Sequence, residues 1–236
     1  DISKNALRGG PLLRRPNGFG INAYLNTDSR KKVQFGLNMF QGLSKNDIVR
    51  VQSYGGYIQL QPTNAMSVNI SPSFDRYQRQ EQYVTQLEFE GEKRYINARV
   101  DQQTISLTVR LNYNITPDLT IQYYGQPFIS RGRYQDFNKT TDTPLGKTFS
   151  DRFALFETVS FDIENEAYQV DDNGDQAFDY TFDNPDFNFI QFRSNLVLRW
   201  EYVPGSELFL VWSQGANASG DPNRGLTRSL SENLFG

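Results

Sequence analysis

The chain has 236 residues, enough for one large or two small domains, and a net charge of −3 with no strongly basic block, which argues against a nucleic-acid footprint. It contains no Cys and no His, which removes disulfides, thiolate metal sites, most zinc sites and any Ser-His or Asp-His mechanism. Mean hydropathy is −0.62 although aromatics reach 14%, and no apolar run of about 18 residues exists to form a transmembrane helix.

Taken along the chain, the dominant signal is a period of two, the mark of strands with one apolar and one polar face. The first predicted strand runs from about Gly18 to Asn26, with Phe19, Ile21, Ala23 and Leu25 on one face. The second covers Lys32 to Gln41, setting Val33, Phe35, Leu37 and Met39 against Gln34, Gly36 and Asn38. A third spans Ile48 to Gln61. The fourth, Met66 to Tyr77, alternates Met66, Val68, Ile70, Pro72 and Phe74 with Ser67, Asn69, Ser71, Ser73 and Asp75.

The fifth (Arg94 to Ile115) and sixth (Leu119 to Arg131) form the clearest hairpin, around the turn Thr116-Pro117-Asp118. Ile105, Leu107, Val109, Leu111, Tyr113 and Ile115 line one side; Ser106, Thr108, Arg110, Asn112 and Asn114 line the other. The fifth strand would be about 70 Å long at the usual rise, more than most sandwiches need. The seventh strand runs from Asn188 to Val203 and the eighth from Glu207 to Gln214. No segment shows a helical stripe.

The connections alternate. "DSRKK", "PTNA", "TPD" and "PGS" are tight turns, whereas Gln78 to Lys93 and Gly132 to Phe187 read as longer connections. Short turns at one end and long loops at the other are the pattern of an up-and-down transmembrane barrel, with aromatics such as Tyr113, Trp200 and Tyr202 gathered near the turn ends as a girdle. The fold expected over residues 1–236 is therefore an all-β, antiparallel up-and-down transmembrane β-barrel segment with about eight strands visible, part of a larger barrel, and a long external loop at about 132–187. That loop carries Phe149, Phe153, Phe156, Phe161, Tyr168, Phe178, Tyr180 and Phe182, too many aromatics for a free linker, so a folded cap or plug is expected. A soluble antiparallel sandwich, whose strands also alternate, is the competing fold.

Two constellations carry candidate chemistry. In "YQVDDNGDQAFDYTFDNPD", Asp171, Asn173, Asp175 and Asp179 fall at positions one, three, five and nine of a calcium-loop spacing, where alternating oxygens converge on a hard cation. Gln176 replaces the expected Gly at position six, and Phe182 replaces the closing Glu. The alternative is an acidic turn between two strands of the loop. The second constellation is Arg110, Arg193, Arg199 and Glu201, all on the polar face, read as lumen-facing: a charged lumen that holds a solute, or a salt-bridge ladder that fills it. No catalytic residue is assigned. A carboxylate-only mechanism survives the lack of His, as in a carboxylate-dependent glycoside hydrolase.

Three stretches carry a resemblance: "GGYIQLQPTNAMSVNISPSFDR", "TISLTVRLNYNITPDLTIQYYGQPFISRGRY" and "DNPDFNFIQFRSNLVLRWEYVPGSELFLVWSQG". Together they resemble the C-terminal barrel region of a Bacteroidota outer-membrane family whose full-length members carry an N-terminal carbohydrate-binding-family-9-like module. The resemblance implies an outer-membrane location, contact with lipid and lipopolysaccharide, envelope protein partners, and a role in surface binding, solute passage or as the barrel component of an envelope assembly. It implies no cofactor and no catalytic residues, and no stretch here corresponds to the carbohydrate-binding module. A soluble carbohydrate-binding β-sandwich remains the alternative function. No signal peptide opens the chain and no aromatic-ended strand follows Phe235, so a mature portion lacking its closing strand is expected.

Overall fold

The computed structural model describes residues 1–223 and 226. Fourteen strands form among them: β1 (Ile2–Ser3), β2 (Leu13–Arg14), β3 (Gly18–Asn26), β4 (Val33–Ser44), β5 (Val49–Thr63), β6 (Met66–Phe89), β7 (Glu92–Thr116), β8 (Leu119–Thr140), β9 (Phe153–Leu155), β10 (Thr158–Asp162), β11 (Ala167–Asp171), β12 (Tyr180–Asp183), β13 (Phe187–Val203) and β14 (Ser206–Ser219). A short α-helix, α1 (Phe149–Arg152), is started by a capping box between Thr148 and Asp151. The protein is all-β and antiparallel, as the alternation dictates.

The principal sheet runs β14-β13-β8-β7-β6-β5-β4-β3, with β9 added on β8. Each long strand pairs with its sequence neighbour except across β8 and β13, which bracket the segment 141–186. The four tight turns all lie at one end, as expected. At Pro204-Gly205 the turn uses Gly205 at φ +80°, a conformation open to glycine and strained for other residues. β3 and β14 are the two edges and do not pair with each other.

One connection differs from its reading. Gln78 to Lys93 is not a loop: β6 and β7 continue to Phe89 and Glu92 and are joined by Glu90-Gly91 alone, both at positive φ. The period of two hid this, because β-bulges at Arg79/Gln82 and Tyr83/Thr85 shift the alternation. Pairing also lapses beside Pro72 on the β5 side and beside Pro127 on the β7 side, where proline has no N–H to donate.

The segment expected to fold as a cap does fold. β10-β11-β12 make a three-stranded sheet of their own. Val170 and Phe182 from it pack on Ile96, Ala98 and Phe137 of the β7–β8 extension. A second core joins Leu7 and Leu13 of the N-terminal segment to Phe153. Apart from the cluster of Ile129, Ile190 and Leu226, the buried cores thus gather at the end away from the tight turns. The closing strand expected after Phe235 concerns positions outside the described residues.

Candidate functional site

The registers place the apolar residues of successive strands in continuous rows across the sheet. The top row reads Ala23, Met39, Tyr54, Phe74, Ile105, Ile129, Ile190 and Ala218. Three steps nearer the turns, Val33, Leu60, Val68, Leu111, Tyr123, Leu196 and Trp212 form another. The band ends at the turns with Ile115, Leu119, Trp200 and Leu208. From Ile105 to Ile115 it measures about 33 Å along the strand, or about 24–28 Å in height for strands tilted as in membrane barrels.

Among the described residues almost nothing covers this face. Within the top row, Ile129 and Ile190 are buried beneath Leu226. Below that row every apolar side chain is half-buried or exposed. Leu37 is 58% exposed, Leu210 59% and Trp212 71%. Contiguous exposed apolar surface of this kind marks a surface that meets something else.

On β4 to β8 and β13 the band stops within one row, whereas on edge strand β3 the apolar face continues through exposed Ile21 and Phe19. One row above Phe74 and Ile105, on the same face, stand Gln41, Gln52, Arg76, Gln103, Arg131 and Asn188. The row beyond that holds Arg50, Gln78, Asp101 and Arg133, with Leu43 and Phe19 continuing it on β4 and β3. These polar groups are knitted together: Arg76 donates to Asp101 from two nitrogens, Gln78 to the same carboxylate at 3.2 Å, and Arg131 to Gln103 at 3.0 Å. Aromatic side chains sit at both limits. Tyr54 and Phe74 stack at 6.3 Å in the top row, and Trp200 meets Tyr202 edge-on at 6.0 Å near the turns.

The opposite face is polar over the same height. Ser53 donates to Asp75 at 2.5 Å, Ser73 and Ser106 share a hydrogen bond of 2.8 Å, Thr104 and Ser130 one of 2.9 Å, and Gln191 donates to Asn217 at 2.8 Å. Arg110, Arg193, Arg199 and Glu201 all fall on this face by register, as predicted, but they do not form one cluster. Arg110 lies over the Tyr124 ring at 5.6 Å. Arg199 pairs with Glu207 and, at 3.8 Å, with Glu201, beside the Pro204-Gly205 turn. Glu201 also accepts the Gly205 N–H at 2.9 Å. Several apolar residues break the rule: Phe40, Phe128, Phe189 and Val197 fall on the polar face by register, and on edge strand β14 Phe209 and Val211 do so and are exposed.

Asp171, Asn173, Asp175 and Asp179 do come together, in the turn between β11 and β12, but their oxygens face their own backbone. Asp171 accepts from the N–H groups of Gly174 at 2.6 Å and Gln176 at 2.9 Å. Asp179 accepts from Asp172 and Asn173, Asn173 from Asp175, and Asp175 from Ala177. These are Asx-type turns, the chemistry of an acidic turn. Among the described residues no group of three or more acidic side chains is assembled around a cation position. The neighbouring Asp172, which the calcium spacing skips, holds the turn onto the sheet through Lys139 at 2.5 Å and Arg94 at 3.1 Å.

A buried charge cluster was not anticipated. Glu81 on β6 and Arg152 of α1 pair at 2.9 Å with both side chains almost fully enclosed. Arg152 also donates to the carbonyls of Thr148 at 3.0 Å and of Arg14. Burial pushes the Glu81 carboxyl above its ordinary range, opposed by Arg152, Arg79 and Arg15. Burial likewise pushes the Arg79 guanidinium down.

Fold and surface together define a class: an antiparallel all-β protein whose main sheet has one apolar band of bounded height, one polar face and a folded cap beyond the band. Comparison with family patterns then places the chain. It matches the domain of unknown function DUF5916 over residues 5–235, nearly its whole length, and so belongs to that family. No curated protein and no solved structure matches it.

Proposed function

We propose that this chain is the membrane-spanning sheet of a Gram-negative outer-membrane β-barrel, acting in surface binding, solute passage or as the barrel component of an envelope assembly. The observation that carries the reading is the sharp limit of the apolar band. Across six strands the same face changes within one row from Met39, Tyr54, Phe74, Ile105, Ile129 and Ile190 to Gln41, Gln52, Arg76, Gln103, Arg131 and Asn188. A soluble core has no reason to end along a straight line, whereas a bilayer of fixed thickness does. The hydrogen-bonded Ser, Thr, Gln and Asn face would then line the lumen, with the cap and the ends of β6–β8 outside, against lipopolysaccharide.

In lipid an unpaired strand edge is untenable, because its N–H and C=O groups find no water. The edges β3 and β14 would therefore pair with further strands or with each other. The Bacteroidota origin and the carbohydrate-binding-family-9-like module of full-length relatives rest on the resemblance alone. The reading is tested by removing detergent from the purified protein. Precipitation or reconstitution into added lipid is expected; a monodisperse species in plain buffer would favour the soluble carbohydrate-binding sandwich instead.

A further inference from the structure

Between the N-terminal segment, the turn at 45–48 and the start of α1 lies a cavity of about 340 Å³. Arg14, Arg15, Lys45, Lys147 and Arg152 line it, against a single lining carboxylate, Asp1. Three separate stretches of chain thus bring five cations to one concave surface. The folding that brings them there is specific. Arg14 is held by the Leu145 carbonyl through Nε at 2.7 Å and by the Pro144 carbonyl through its backbone N–H at 3.0 Å. Arg152 is locked by Glu81 and two carbonyls.

The surroundings do not neutralise this charge. Among the described residues, Arg152 alone of the five has an ion-pair partner, Glu81. Glu81 must also serve Arg79 and Arg15, whose positive charges act on it. Both Arg15 Nε and Arg79 Nε are buried with no hydrogen-bond partner. Glu81 Oε1 is also buried without a partner and Arg79 does not line the cavity, so the demand for an anion comes from the lining itself, five cations against one carboxylate.

We infer that this cavity binds a phosphate-type oxyanion. A lone carboxylate would leave most of the charge unanswered. A phosphate monoester carries up to two charges and several acceptor oxygens, which suit the guanidinium of Arg15 and the point charges of Lys45 and Lys147, while Arg152, held by Glu81 and two carbonyls, adds its positive field. The phosphate comes either from a lipid headgroup or from a soluble phosphate ester. The inference does not depend on the membrane reading, since the cavity lies among the cap elements rather than in the apolar band.

The test is calorimetric titration of the intact chain, in detergent micelles, with inorganic phosphate. Saturable binding is expected, weakened about tenfold by Lys147→Gln and further by Arg15→Gln, as loss of charge-assisted hydrogen bonds implies. Arg30→Gln, which removes an exposed cation from the β3–β4 turn at the other end of the sheet, should leave it unchanged. Lys147 is exposed, so its variant keeps the test open should Arg15→Gln fail to fold. Competition by phosphatidic acid vesicles, but not by phosphatidylcholine vesicles, assigns the phosphate to a lipid headgroup; absence of competition assigns it to a soluble ester. No saturable phosphate binding by the folded wild type, or equal weakening by Arg30→Gln, overturns the inference.

Discussion

Arg152→Ala is expected to destabilise the cap end of the protein by about 3–5 kcal/mol, the cost of leaving a buried partner charge uncompensated. The substitution removes three contacts at once: to Glu81, to the Thr148 carbonyl and to the Arg14 carbonyl. The last of these ties the N-terminal segment to the 141–152 stretch, so its loss should expose the chain near Arg14 and Arg15. Limited tryptic digestion in micelles should show new cleavage there, alongside a lowered unfolding midpoint. Arg152→Met combined with Glu81→Leu should recover most of the loss, because neither charge then remains to be solvated. Equal stability of Arg152→Ala and wild type would mean that the pair is not buried as described.

Val109→Arg is the second large effect. Val109 lies in the row Phe35, Ile58, Ile70 and Val109, inside the apolar band. An arginine on the lipid face near the bilayer midplane costs about 2–4 kcal/mol. The neighbouring Thr108 faces the other way, where its hydroxyl accepts from Gln126. Thr108→Arg should therefore be tolerated far better when folding into micelles or bilayers is measured. Matching losses at the two positions would remove the distinction between the faces.

The eight long strands were legible because each meets two different environments, which stamps a period of two on its residues. β3 was placed from Gly18 to Asn26, the bounds it has. The reading failed where that asymmetry stops. Beyond Tyr77, the stretch "QRQEQYVTQLEFEGEK" no longer sets an apolar face against a polar one, and two bulges reset its phase. Only the Glu90-Gly91 pair signalled a tight turn there. The acidic spacing at 171–179 was visible, but sequence alone could not show that the carboxylates would bend back onto the backbone. Arg15, Glu81 and Arg152 belong to distant parts of the chain, and only the packing of the cap on the β6 extension brings them together. The straight upper limit of the band was likewise hidden, because it depends on the stagger between strands and not on any one strand.

The most direct measurement of the central claim uses the two tryptophans of the chain. Trp212 lies in the middle of the band, in the row of Leu111 and Leu196, whereas Trp200 lies at its turn-side limit beside Leu119 and Leu208. In bilayers of brominated lipid, Trp200→Phe leaves Trp212 as the sole reporter, and Trp212→Phe leaves Trp200. Bromines placed deep in the acyl chains should quench Trp212 more than Trp200, and bromines near the headgroups should do the reverse. If neither position were quenched by either lipid while a water-soluble quencher reached both, the apolar band would not face a bilayer.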